Sequence, residues 1–345
     1  MTASMDLEQL ASPDWLLAGF DARADRYYLA RVSRDTYRAS SFLDHRITPL
    51  PTETKSLSGT QLDEVLKHAT ATPGNWIFHT GFCCSTLLAS CLDHPAITLV
   101  LREPKVLSLL AEFSRQHKVA YPSLYHRVTA MCERSYAGEA LVIKPSNYAN
   151  ALAGELIHSQ SPQPQRKAIL MSCSLESLLI SILKKRAEAE ISLPGFLRAL
   201  LQDSDYQQVT GIADPGRLHL LQQSVLFWHC QRYFLQKQLA TAAAGSMMSL
   251  SMERFMAKPE AVLSQVSDHF NLELQGELIR EIVATGAFRR HSKQAGLDYS
   301  PEAYRMDQQA TMAKFATEIE QAVQWAGPLL EILPVQVFDD FEASG

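Results

Sequence analysis

Apolar residues along this chain fall into two alternating kinds of run. Continuous β-rich stretches occur at residues 76–78, 96–102, 140–144 and 166–174, the pattern of strands buried on both faces, and 247–252 reads as a further strand leading into Glu253. Between them apolar positions recur at helical spacing: Leu62, Val65 and Leu66 within 60–69, Leu87, Leu88, Cys91 and Leu92 after Ser85, and Leu178, Leu179, Ile182 and Leu183 within 175–190. Similar patterns predict helices over 105–117, 122–136, 149–158, 194–201, 218–243, 258–270 and 275–285, and over most of 301–330. Pro259 is tolerated in a first helical turn. Strands alternating with helices predict an α/β fold: three α/β/α layers around a mainly parallel sheet, with right-handed crossovers and extra helices.

Residues 1–70 are less regular, mixing short helical pieces such as 6–10 with the run Tyr27-Tyr-Leu-Ala and a polar loop over 49–59. They read as an N-terminal cap packed on the core. Residues 71–300 form the α/β core, and 301–345 a C-terminal helix and an acidic tail ending at Asp339-Asp-Phe-Glu342. At 345 residues the chain is long enough to bury a large core. A net charge of -5 excludes a general binder of nucleic acid or anionic membranes, so any basic site is local. Six cysteines without CxxC spacing, mostly inside apolar runs, point to reduced thiols and a cytoplasmic location rather than disulfides or zinc. Residues 1–8 lack an export signal, and no apolar run approaches a membrane span, so a soluble protein without a membrane partner is expected.

The stretch 76–93 concentrates the candidate chemistry. It reads as a strand, a tight turn over Gly81, Phe82, Cys83, Cys84, Ser85 and Thr86, and the start of a helix. Free N–H groups and the positive end of the helix dipole would face that turn, so it can cradle a phosphate with help from the Ser85 and Thr86 hydroxyls. The plainer reading is a strand-turn-helix with Ser85 as N-cap. The Walker A pattern requires a lysine here and none is present, which disfavours an ATP-dependent P-loop kinase.

Gly81-Phe-Cys-Cys-Ser-Thr-Leu-Leu88 followed by Leu92-Asp-His-Pro95 resembles the 5′-phosphosulfate loop of the P-loop sulfotransferase superfamily, with Phe82 where many members carry a basic residue. Further landmarks in the family's order are Arg102-Glu-Pro104, Lys144, Ser181, Ser251-Met-Glu253 with Lys258-Pro-Glu260, and the basic loop of Arg289, Arg290 and Lys293. The resemblance covers about residues 75–295. It implies a P-loop fold and sulfuryl transfer from 3′-phosphoadenosine 5′-phosphosulfate (PAPS), without a metal, to a hydroxyl of a small-molecule or carbohydrate acceptor.

The resemblance also implies residue roles. Residues 81–86 hold the 5′-phosphate, Glu103 is the general base, and Lys144 stabilises the bridging oxygen as it becomes anionic. Ser181 and the basic loop hold the 3′-phosphate, because the family's strand-end arginine, eight positions before the serine, is here Cys173. Each residue has a structural alternative: Glu103 capping the next helix or pairing with Arg102, Lys144 as a strand-end lysine in water, the basic loop as a solvated cluster. The competing functional reading is a catalytically inactive or altered-ligand nucleotide-binding protein of the same fold.

Overall fold

A computed structural model describes residues 7–117, 121–158, 166–203, 205–212, 214–243, 245–285, 288 and 301–334. Arg289, Arg290, Lys293 and the acidic tail lie outside the described residues. The chain divides into two compact units, one of residues 1–77, 88–168 and 266–275, the other of 78–87, 169–265 and 276–345.

In the first unit a short helix, Arg34–Ala39, accompanies a three-stranded antiparallel sheet that the sequence did not predict: β1 (Trp15–Asp21), β2 (Arg26–Arg31) and β3 (Thr54–Ser58). Among the described residues a single 3-10 turn, Gln9–Ala11, precedes the sheet. Alternation explains the strands, because Tyr27, Leu29 and Leu57 are buried while Arg26, Tyr28 and Arg31 face out. Asp21 makes the turn into β2, its Oδ1 accepting the N–H groups of Arg23 and Ala24 at 3.0 and 3.1 Å. Ser58 and Gln61 then form a capping box on helix Gly59–His68.

The predicted core strands follow as β4 (Gly74–His79), β5 (Thr98–Arg102), β6 (Ala140–Lys144), β7 (Ala168–Ser172) and β8 (Met247–Ser251). They form one five-stranded sheet in the order β5-β6-β4-β7-β8, with β6 parallel to both β5 and β4. Helices between the strands complete the three-layer α/β/α arrangement. β5 starts later than the apolar run suggests: Ala96 is left-handed (φ +66°), and its N–H is held by Glu139 Oε1 at 2.8 Å.

The second unit holds most of the later helices. The expected 175–190 helix is two, Leu175–Lys184 and Arg186–Gln202, separated at Lys185 (φ -119°, ψ 33°). The second absorbs the predicted 194–201 helix, with Pro194 inside it. The 22-residue helix Leu220–Thr241 follows, and the 301–330 run is likewise two helices, Pro301–Lys314 and Ala316–Ile332. Among the described residues no helix is long and apolar enough to cross a membrane.

Candidate functional site

In the second unit β4 runs out at His79 and helix Ser85–Leu92 begins, leaving a short turn between them. Phe82 and Cys84 are both left-handed, φ +62° and +59°, although neither is glycine. Such a conformation costs an ordinary residue roughly 1–2 kcal/mol, so the surrounding structure holds the turn in this shape. Left-handed residues flank Cys83 just before the helix start, and left-handed backbone in a turn is an ingredient of anion-binding nests. Ser85 and Thr86 are buried in the first helical turn.

Two residues that sequence reasoning missed border this turn. Thr80 directly follows β4 and Ser172 ends its neighbour β7, joined by the Thr80 N–H bond to Met171 O at 2.9 Å, and both hydroxyl oxygens are buried without a hydrogen-bond partner among the described residues. Buried polar atoms are normally satisfied, so these two sit where a polar ligand would be welcome. The available signal was Thr80 directly before the turn. Cys83 Sγ donates to Thr80 O at 3.0 Å, and Cys173 Sγ to Gly81 O at 3.8 Å, which brings the β7 exit against the turn.

Burial pushes the Cys173 thiol well above its ordinary range, reinforced by Cys83, Glu253 and Cys84, so the position carries no charge. Ser181 Oγ donates to Ser177 O at 2.9 Å, one turn back in its own helix. Glu253 Oε1 accepts from Ser174 N–H at 2.9 Å and Ser177 Oγ at 2.8 Å, placing a carboxylate at the N-terminus of helix Leu175–Lys184.

In the first unit, Arg102 and Lys144 are paired in register, which sets the next residue, Glu103, beside the end of β6. Glu103 is left-handed (φ +52°), and its N–H donates to Lys144 O at 2.6 Å. Lys144 Nζ donates to Glu103 Oε1 at 2.6 Å, with the lysine side chain 0% and the glutamate 16% exposed. The water-exposed alternative for Lys144 is therefore overturned. So is the Arg102–Glu103 pair: Arg102 is buried, ion-paired with Asp93, and donates to the carbonyls of Tyr37, Arg38 and Ser40 at 2.7–3.2 Å. Leu43 N–H bonds Arg102 O at 2.8 Å and Lys105 N–H bonds Leu43 O at 3.0 Å, so the N-terminal segment crosses the strand exit on both sides of Glu103. A carboxylate held against an ammonium can take up a proton while the ammonium offsets charge developing nearby.

The structure thus joins Glu103 to Lys144 and residues 81–86 to Cys173, while Ser181 bonds within its helix. No protein-family model matches the sequence, and no curated protein matches it. Among solved structures the chain is similar to the sulfotransferase domain from the curacin biosynthetic pathway, at 15% identity and a TM-score of 0.40, over 74% of this chain and 98% of that one. It is also similar to a sulfotransferase from Alicyclobacillus acidocaldarius, at 14% identity and a TM-score of 0.38, over 63% of this chain and 92% of that one.

Proposed function

We propose that this protein is a cytoplasmic sulfotransferase that moves a sulfuryl group from PAPS to a hydroxyl of a small-molecule or carbohydrate acceptor. The observation that carries the reading is the turn after β4, with its two left-handed non-glycine residues opening onto a helix N-terminus. A nest of this kind, with the Ser85 and Thr86 hydroxyls and the unpartnered Thr80 Oγ1 close in sequence, fits a 5′-phosphate. The donor supplies an activated sulfuryl group whose departure leaves negative charge on that phosphate. The turn's N–H groups stabilise that charge, Glu103 accepts the acceptor's proton, and Lys144 orients the carboxylate and offsets anionic charge. The 3′-phosphate falls to Arg289, Arg290 and Lys293, since Cys173 is uncharged.

Cys173 also favours a second reading, an altered-ligand protein of the same fold that holds a nucleotide 5′-phosphate without reading a 3′-phosphate. Titration calorimetry with 3′,5′-ADP, 5′-AMP and ATP separates the readings. The sulfotransferase prefers 3′,5′-ADP, the altered-ligand protein binds it no better than 5′-AMP, and a kinase prefers ATP. In the Ser85→Ala/Thr86→Ala variant, lost hydrogen bonds to a charged phosphate weaken 3′,5′-ADP binding by about one to two decades with the melting temperature little changed. Unchanged affinity would remove the turn from the site.

A further inference from the structure

Within the second unit, a groove of about 630 Å³ opens among the end of helix Leu175–Lys184, the next helix Arg186–Gln202, the start of Leu220–Thr241 and one face of Ala316–Ile332. The size is typical of small-molecule sites. Leu183, which lines it, stands roughly 12 Å along its helix from Leu175, the first residue of the helix after β7, taking 1.5 Å per residue, so this is not the phosphate turn.

The groove's lining has a definite chemical character. Glu318 and Trp325 lie seven positions apart on one stripe of their helix, with Leu218 and Leu221 supplying apolar surface from the start of Leu220–Thr241 and the residues before it. Arg186 Nε donates to Glu190 Oε1 at 3.0 Å, so those two charges offset each other. Glu318 has no ion-pair partner among the described residues and leaves the groove net negative. Gln223, 8% exposed, donates its Nε2 to Leu218 O at 2.8 Å, while its Oε1 is buried with no partner among the described residues. A buried acceptor in that state gains from any donor it can turn toward.

We propose that this groove binds an apolar amine, a protonated primary amine carried on a hydrocarbon or aryl body. The ammonium has three donors and no acceptor, matching Glu318 and the unused Gln223 oxygen, and the indole face of Trp325 favours a cation. The body lies on Leu218 and Leu221. An anionic head of the same length meets Glu318 as a like charge.

The test is titration calorimetry of the full chain with octylamine, octanol and octanoate, which share one apolar body and differ only in the head. Octylamine binds saturably, octanol more weakly and octanoate not at all. Glu318 is exposed, so Glu318→Gln folds, and it weakens octylamine about tenfold while leaving octanol unchanged. Trp325→Phe keeps the packing and lowers octylamine affinity more than octanol affinity. Equal binding of the three compounds, no saturable binding of octylamine, or an octylamine affinity indifferent to Glu318→Gln overturns the proposal. The turn after β4 does not enter, so failure here leaves the sulfuryl-transfer reading untouched.

Discussion

Glu103 combines two costs that a residue without a task would not carry. Its backbone is left-handed, and its carboxylate is tied at 2.6 Å to a lysine with no solvent exposure. Breaking a buried ion pair from one side strands the other charge, typically at about 3–5 kcal/mol, whereas removing both partners costs far less. Glu103→Gln alone and Lys144→Met alone are therefore expected to lower unfolding stability by about that amount, and the double variant to recover most of it. Turnover behaves differently, falling by about two decades or more in Glu103→Gln and staying low in the double variant, because restored packing does not restore a base. Urea unfolding beside assays with labelled donor reads both, and a double variant regaining stability and activity together would make the pair purely structural. Sequence marked both residues as strand ends. It did not show their pairing, because strand register is what brings together these two residues 41 positions apart. Nor did Phe82 and Cys84 advertise left-handed backbone, since glycine is the usual sign of it.

At the scale of elements, the buried strands β4 to β7 were legible because each carries a short apolar run between polar breaks, whereas β8, half-buried over its first three residues, showed only a mixed Met-Ser-Leu run. The break at Lys185 was not, since apolar spacing persists across it and only the backbone turns. The antiparallel sheet of β1, β2 and β3 was hidden by its short alternation and by loops that carry no glycine signal. What fixes the chain entering that sheet is a distant side chain. Arg134, 4% exposed, donates to the carbonyls of Leu10, Ala11 and Ser12 at 3.2, 3.2 and 3.0 Å and to Trp15 O at 2.5 Å. Burial holds its pKa below the ordinary arginine value, yet the fork still supplies the donors these carbonyls need. Arg134→Met leaves several buried carbonyls unsatisfied and is expected to destabilise by about 3–5 kcal/mol. Arg134→Lys recovers only part, because one ammonium cannot span the same set. Hydrogen exchange locates the loss: amides of β1 exchange faster while those of β5 and β6 follow only the global change. Uniform acceleration would mean that Arg134 supports the unit as a whole rather than its entry strand.

Across the whole molecule, two histidines make stability depend on pH in a direction set by their surroundings. His229 is 1% exposed: its Nε2 faces Leu333 O at 2.8 Å and its Nδ1 the Tyr206 hydroxyl at 2.7 Å. A carbonyl can only accept, so Nε2 carries the proton, and Nδ1 accepts from the tyrosine. This neutral tautomer satisfies every group. A second proton would force the Tyr206 hydroxyl to turn round and accept, and would bury a charge near Arg232. Burial accordingly lowers the His229 pKa below 6.5, with Arg232 adding to the effect, and burial likewise lowers that of His269, whose Nε2 faces Ala168 O at 3.0 Å. Because the folded values lie below the unfolded one, the unfolded chain binds more protons between them. Stability is thus complete above about pH 6.5 and declines as pH falls toward the folded values, each histidine losing up to about 1.4 kcal/mol for every pH unit between its unfolded and folded pKa. Carboxylates contribute little there, since their unperturbed values lie near about 4. Urea unfolding at closely spaced pH values between about 5 and 8 should show stability rising with pH to a plateau. His229→Gln lowers the plateau and reduces the slope, and adding His269→Gln removes most of the remainder. A slope unchanged in the double variant would assign the dependence to other groups.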